Sequence, residues 1–399
     1  MPTALAHAPD RRSSITLLLA MILLGVFPLD VVLPSFPALA DHFQRPSADI
    51  ALSISLFAIG IALSQVVIGP LSDTLGRKRL LLSGMAVSVV GAIGCVLSND
   101  FTWFLVFRCL QAIGCGAFVL VQALVQDLFV GKERDQLRIL MLTCSGVFIS
   151  VSPLAGTLLQ HVLGWTGSFW VFAALAGVVF IKALLVLEHT RPQPQVSRTV
   201  IQSYHFVCKD PCFIGYWLIS GLAFACHFSF IVMSPLLLME RLQLSPFAFA
   251  WVLLGYGVAY LCGGITAQLL SNRLQPSTQI NVGLLLIVTA GLVMPVLVNL
   301  LGLSVFSVLL PMLVCTIGTT IARPISTSQA MDIFPEHAGT AASTGGMVVL
   351  GCGGIISALI NLWAANLETT LAICFLLLGI LSLILHVLIN RRQGALLSE

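Results

Sequence analysis

Long apolar segments, each of about 20 residues or more, follow one another along this chain and are separated by short polar connections. A segment of this length crosses a bilayer as a helix, since lipid offers no partners for exposed backbone groups. Charged residues make up 9% of the chain and hydrophobic residues 58%, which excludes an ordinary soluble globule. The predicted spans cover residues 15–39, 49–71, 79–98, 102–127, 138–160, 166–187, 212–238, 247–270, 278–300, 303–332, 339–364 and 368–390. We therefore expect an all-α polytopic membrane protein with twelve transmembrane helices.

Positive charges are concentrated on one side of this predicted bundle. With the N-terminus inside, the outer connections hold only Arg45 and Arg241. The cytoplasmic segments then hold Arg11, Arg12, Arg77, Lys78, Arg79, Lys132, Arg134, Arg138, Arg191, Arg198, Lys209, Arg273, Arg391 and Arg392. The positive-inside rule thus predicts that both termini are cytoplasmic, which requires an even number of spans.

The longest polar connection, residues 188–211, follows the sixth span and contains prolines. It predicts a cytoplasmic linker between an N-terminal half, residues 1–187, and a C-terminal half, residues 212–399. A weak internal repeat supports two similar halves, because the segment from Gly69 to Arg79 resembles the segment from Gly263 to Arg273. Two six-helix halves are typical of transporters that alternate access by rocking one half against the other.

Several other classes of protein are disfavoured. The 11 cysteines are an odd number and lie mostly in apolar runs, so neither a disulfide framework nor a metal site is expected. The chain has no GxxxxGK[ST] segment for nucleotide-driven transport. It also has no Ser/His/Asp arrangement and no appended soluble domain, which argues against a membrane enzyme or a sensor. We expect a transporter and not an enzyme, with no cofactor and no nucleic-acid partner.

Several segments resemble motifs of the major facilitator superfamily. The connection Gly69-x-Leu71-x-Asp73-x-x-Gly76-Arg77-Lys78-Arg79 is similar to its signature loop. The other similar segments are Arg108 to Gly116, Gly146 to Gly156 (an antiporter-type motif), Pro28 to Pro37, Ser234-Pro235 and Pro335 to Ala341. The resemblance is to the twelve-span drug:proton antiporters, specifically the Bcr/CflA-type exporters. It implies two pseudo-symmetric six-helix bundles in a bacterial inner membrane.

Asp30 is the candidate proton carrier. It lies about 23 Å from the inner face at 1.5 Å per residue, and an intramembrane carboxylate marks a functional or a paired structural site. Arg108 in the fourth span is the second candidate, because the resemblance implies that it takes part in proton coupling. The structural alternatives are a permanent Asp30–Arg108 pair, or an arginine that only satisfies carbonyl groups.

Two further ionisable residues at membrane depth, His227 and Arg323, are predicted to line a substrate cavity. His227 could equally be a buried core histidine. Polar and aromatic residues in the spans are cavity candidates or packing residues: Phe57, Gln65, Gln111, Gln122, Trp251 and Tyr256. One acid, Asp30, against two arginines predicts an anionic or zwitterionic amphiphile, such as a siderophore-like compound.

The connection between the second and third spans predicts a cytoplasmic gate that includes Gly69 and Gly76. Asp73 is expected to attract the positive N-terminus of the eleventh span, near Thr340. Arg77 is expected to pair with Asp127 at the inner end of the fourth span. The alternative is that this connection only anchors the topology.

The sequence therefore favours a monomeric, proton-coupled exporter that binds a small amphiphile and sits in the lipid bilayer. The alternative is a proton symporter or facilitator that imports a polar solute such as a sugar. The antiporter-like segment of the fifth span argues against this alternative.

Overall fold

The computed structural model describes residues 11–129, 131–187, 200–271, 273–334, 338–363 and 366–396, which form helices joined by short turns without β-strands. Some side chains within the helices also lie outside this description. The first half consists of Arg11–Asp30, Leu33–Ser35, Phe36–Phe43, Ser47–Leu75, Arg77–Leu97, Phe101–Cys115, Gly116–Val119, Leu120–Leu128, Gly131–Leu163 and Gly167–Val186. The second half consists of Pro211–Ser234, Pro235–Arg241, Pro246–Ser271, Pro276–Leu301, Val305–Ile333, Ala338–Asn361 and Leu367–Leu396.

Eleven spans within the described residues are long and apolar enough to cross a membrane. The helix Gly131–Leu163, which holds the predicted fifth span, completes the series of twelve. The expected all-α polytopic fold is confirmed. The end of the bundle that holds Gly76 is called the inner end below, following the predicted orientation, and the opposite end is the outer end.

The two halves repeat one packing scheme. In the first half, the third span contacts the fourth and the sixth spans. In the second half, the ninth span contacts the tenth and the twelfth spans in the same way. The halves meet where the second span packs along the eleventh, and where the fifth span packs along the eighth. The seventh span is central, since 94% of its most apolar window is buried.

Two prolines break the first span beside the candidate proton carrier. Proline has no N–H, so Pro34 and Pro37 cannot bond the carbonyl groups of Asp30 and Leu33 four residues earlier. The first helix therefore ends at Asp30, and the chain continues through the short 3-10 helix Leu33–Ser35. Asp30 thus lies at a helix end inside the first predicted span.

The turn between the second and third spans is shorter than the sequence predicts. The second helix continues to Leu75, the third begins at Arg77, and Gly76 joins them with φ 87° and ψ 139°. Glycine adopts this left-handed region without steric cost. The ammonium group of Lys78 donates hydrogen bonds to the carbonyl groups of Leu184, at 2.8 Å, and Leu187, at the C-terminal end of the sixth span. A cation is favourable there because it complements the helix dipole.

Part of the predicted linker, residues 188–199, lies outside the described residues. The rest includes a helix, Val200–Cys208, called the linker helix below. The predicted half boundaries at residues 187 and 212 stay a prediction.

Candidate functional site

A central cavity of about 340 Å³ lies between the two halves. Side chains from the first, second, fourth, fifth, seventh and eleventh spans line it. The wall is mainly apolar and includes Ile22, Val26, Ile61, Phe118, Ile231 and Leu350. The polar side chains among the lining residues are those of Asp30, Gln65 and His227, apart from the thiol of Cys115. The site therefore combines an apolar surface with a few hydrogen-bonding groups, as small-molecule sites usually do.

Asp30 and His227 face the same cavity from opposite halves. Among the described residues, none forms a hydrogen bond or an ion pair with the Asp30 carboxyl group. His227 is buried, with 6% of its surface exposed, and its Nδ1 shares a hydrogen bond with the hydroxyl group of Tyr256. The carboxyl group is thus available to a proton or a ligand, while one imidazole nitrogen is already engaged.

The aromatic ring of Phe224 lies between Arg323 and the cavity. Its guanidinium carbon lies 4.6 Å from the ring centroid of Phe224, a lining residue, and its Nε has no hydrogen-bond partner in the described part of the chain. A cation over an aromatic face is stabilised by the ring quadrupole. The positive charge of Arg323 therefore lies close to the cavity, although the arginine is not one of its lining residues.

Arg108 is buried in a compact cluster beside the first span. Its guanidinium group donates to Gln111 Oε1 at 2.8 Å and to the carbonyl oxygen of Pro28 at 2.9 Å. The guanidinium carbon lies 4.1 Å from the ring centroid of Phe57 and 5.5 Å from that of Phe169. Arg108 thus bonds the backbone two residues before Asp30, and the described salt bridges do not include an Asp30–Arg108 pair.

The other predicted cavity residues lie in three different places. Phe57, Gln111 and Tyr256 are buried, at 0%, 1% and 2% exposure, in the clusters around Arg108 and His227 and not among the lining residues of the central cavity. Trp251 is 63% exposed and faces away from the interior. The side chain of Gln122 lies outside the described residues. Contact between these residues and a substrate stays a prediction.

The halves meet at the inner end around Gly69 and Ser343, a contact called the inner seam below. A Cβ atom at Gly69 would lie 3.1 Å from Ser343 Cβ, which is a tight contact, so glycine favours this close approach. The hydroxyl group of Tyr204, on the linker helix, donates to the carbonyl oxygen of Val66 at 3.2 Å and lies 2.9 Å from Ser343 Oγ. Tyr204 therefore bridges the second and eleventh spans.

The predicted gate pairs are only partly described. The side chains of Asp73 and Asp127 lie outside the described residues, so their pairing with the eleventh span and with Arg77 stays a prediction. Thr340 lies one turn before Ser343, and its carbonyl oxygen accepts a hydrogen bond from Ser343 Oγ at 3.1 Å. Two residues of the predicted gate, Gly69 and Thr340, therefore lie at the inner seam.

The halves also meet at the outer end, in a contact called the outer seam. Ser55 Oγ lies 2.8 Å from Ser357 Oγ across the second and eleventh spans. Asn361 Nδ2 donates to the carbonyl oxygen of Ala48 at 2.7 Å, and Ser47 donates to the carboxyl group of Glu240. Hydrogen bonds therefore join the two halves on both sides of the central cavity.

Sequence reasoning missed Tyr204. The signal that could have identified it is the spacing of Tyr204 and Val207, which places two large side chains on one helix face within a polar connection. Val207 is fully buried, and Phe206 contacts Phe334 with ring centroids 5.3 Å apart. The linker helix is thus docked on the bundle.

Comparisons with known proteins agree with this architecture. A relative from Bacillus subtilis (strain 168), described as the uncharacterized MFS-type transporter YdgK, is 27% identical over 97% of this chain and 99% of its own length. The multidrug resistance protein MdtL of Escherichia fergusonii is 25% identical over 84% of each chain. The solved structure of a bacterial homologue of the human lysosomal transporter Spinster, in an inward-facing and occupied conformation, has the same fold, with a TM-score of 0.77 and 15% identity over 96% of this chain and 97% of that one.

These findings indicate a multi-pass membrane transporter. The family model described as Major Facilitator Superfamily matches residues 15–358, most of the length of the chain. This protein therefore belongs to the Major Facilitator Superfamily.

Proposed function

We propose that this transporter is a proton-coupled exporter of small amphiphiles in the inner membrane of a bacterium. It works as a monomer with both termini in the cytoplasm. The proton gradient drives transport, and no bound cofactor is needed. A multidrug resistance protein among its relatives supports efflux.

The position of Asp30 is the observation that carries the proposal. Its carboxyl group lies at a broken helix end and faces a mainly apolar cavity without a hydrogen-bond partner among the described residues. Such a carboxyl group is sensitive to its surroundings, because low dielectric favours its neutral form and nearby cations favour its charged form. Cargo binding or a movement of the second half changes both conditions, so protonation and transport become coupled.

The two seams give this coupling its mechanical basis. Alternating access requires that one seam opens while the other stays closed. The hydrogen bonds of Tyr204 at the inner seam and of Ser55 at the outer seam join the same two spans. Rocking of the halves breaks each set in turn and exposes the central cavity to one side at a time.

The cavity wall supports an amphiphilic cargo with an anionic or zwitterionic head, such as a siderophore-like compound. An apolar wall favours a cargo with a large apolar part, and it offers the hydroxyl groups of a sugar few hydrogen-bond partners. Asp30 is the acid among the lining residues, while Arg323 lies one aromatic ring away and favours a negative head group.

Proton coupling is tested in proteoliposomes with 8-anilino-1-naphthalenesulfonate, an amphiphile that stays anionic at all working pH values. With an imposed pH gradient, the wild-type protein is expected to exchange the dye for protons. Asp30→Asn removes the exchange, whereas Asp100→Asn, in an outer connection, leaves it intact. Exchange retained in Asp30→Asn, or movement of the dye in the same direction as protons, contradicts the proposal.

The charge preference of the cargo is tested with Arg323→Ala. We expect weaker transport of the anionic dye and unchanged transport of the permanent cation N-ethylquinolinium. Equal effects on both compounds would mean that Arg323 supports the structure and does not select charge.

A further inference from the structure

Gln65 is a buried amide on the wall of the central cavity. Its side chain is 7% exposed, and Oε1 has no hydrogen-bond partner in the described part of the chain. It lies ten residues before Leu75, the last residue of the second helix, or about 15 Å from that end. Gln65 is therefore a polar group near the inner part of the cavity.

An unpaired amide is unusual in this environment. Glutamine offers two N–H donors and one carbonyl acceptor, and burying these groups without partners is destabilising. The neighbouring Ser64 is satisfied within its own helix, since its hydroxyl group donates to the carbonyl oxygen of Ile61 at 2.8 Å. Gln65 has no such local partner among the described groups, although it lines the cavity.

The amide is also held in place by the other half of the protein. Gly346 of the eleventh span faces it, and a Cβ atom at this position would overlap Gln65 Oε1. One end of the amide therefore rests against a glycine backbone, whichever of its two terminal atoms lies there. The contact orients the amide within the cavity wall, about one turn from the inner seam at Gly69.

We infer that Gln65 is a specificity-determining residue that hydrogen-bonds the polar head of the cargo. This inference rests on the proposed function, because it names the chemistry of the cargo at the same site. Gly346 covers one end of the amide, so the other end bonds one complementary polar atom of the head, such as the oxygen of a carboxamide. The apolar body of the cargo lies against the rest of the wall. Cargo that arrives from the inner side meets Gln65 before it reaches Asp30.

The test measures binding of two ligands of similar shape to the full-length protein in lipid nanodiscs. The ligands are 1-naphthaleneacetamide, which carries the amide head, and 1-propylnaphthalene, which does not. Gln65→Met keeps the length of the side chain and removes its amide, and Gln65→Leu serves as a second variant if the first folds poorly. Gln160→Met is the matched control, because Gln160 Oε1 is also unpartnered but lies near the outer end of the fifth span and away from the cavity.

We expect the wild-type protein and Gln160→Met to prefer the amide ligand. Gln65→Met should weaken binding of the amide by about tenfold and leave binding of 1-propylnaphthalene unchanged, as expected for the loss of one hydrogen bond. If the wild-type protein prefers the amide and Gln65→Met prefers it equally, the role of Gln65 is wrong and the proposed function stands. If the wild-type protein binds neither ligand, or binds both equally well, the role of Gln65 is also wrong. The proposed function is tested separately by exchange of the anionic dye.

Discussion

The hydroxyl group of Tyr204 lies 2.9 Å from Ser343 Oγ, so a residue of the linker helix touches the eleventh span where the two halves meet. The same hydroxyl group donates to the carbonyl oxygen of Val66 in the second span. The connection between the halves is thus part of the inner seam and holds it closed in this structure.

Tyr204→Phe is expected to favour opening at the inner end. It removes a bridging hydroxyl group whose hydrogen bonds are worth about 1 kcal/mol each, and the loss of one such bond changes the population of the open state roughly fivefold. A cysteine introduced at Leu350, on the cavity wall, should then react faster with an impermeant maleimide added to inside-out vesicles.

Tyr216→Phe is the control for this measurement, because the hydroxyl group of Tyr216 contacts Gln393 at 3.3 Å and not the seam. Equal labelling rates in Tyr204→Phe and Tyr216→Phe would show that the bridge does not hold the inner end closed.

Arg108→Lys should reduce dye–proton exchange at least tenfold, although the positive charge is kept. Lysine lacks the planar fork that bonds Gln111 and the Pro28 carbonyl together, and it stacks poorly on Phe57. The exchange assay with the anionic dye measures this effect. Arg45→Lys, at an exposed position, is the comparison, and normal exchange in Arg108→Lys would mean that charge alone suffices.

The outer seam is expected to open during each transport cycle. Ser55 Oγ and Ser357 Oγ are 2.8 Å apart, so cysteines at both positions are close enough to be tested for a disulfide. Oxidation of the Ser55→Cys/Ser357→Cys double variant should stop exchange, and a reducing agent should restore it. Mass spectrometry identifies the bridge, and the two single variants control for damage. Exchange that continues with the bridge formed would exclude opening at this seam.

Gly91→Ala should destabilise the first half. A Cβ atom at Gly91 would lie 2.6 Å from Gln111 Cα, in backbone that has little room to move. Overpacking of this kind costs about 1–3 kcal/mol, so the thermal unfolding temperature in detergent should fall. Gly177→Ala has open space around the new methyl group and should unfold like the wild-type protein.

The fold was predictable because the bilayer imposes strong rules on sequence. Apolar segment length and the distribution of arginine and lysine led to the helical bundle, and the cost of a buried carboxylate drew attention to Asp30. The structure places Asp30 and His227 on one cavity, and contact of either residue with a substrate stays a prediction.

It was harder to predict which individual side chains point toward the interior and which point toward lipid. A span that is apolar all round has no polar face to show which side meets lipid and which meets the interior. For this reason the sequence did not show that Trp251 is exposed or that Phe57 is buried against Arg108, and both were predicted as cavity candidates. The bridge by Tyr204 depends on tertiary docking of the linker helix, which the span pattern does not contain.

The cavity draws its carboxyl group from one half and its imidazole from the other. If the halves separate, the electrostatic work of adding a proton to Asp30 becomes a function of the distance between them. Linkage is reciprocal, so the proton must then exert an equal thermodynamic force on that distance. A difference in acidity across the membrane would act on this molecule as a mechanical load, with the width of its central cleft as the coordinate along which it is displaced.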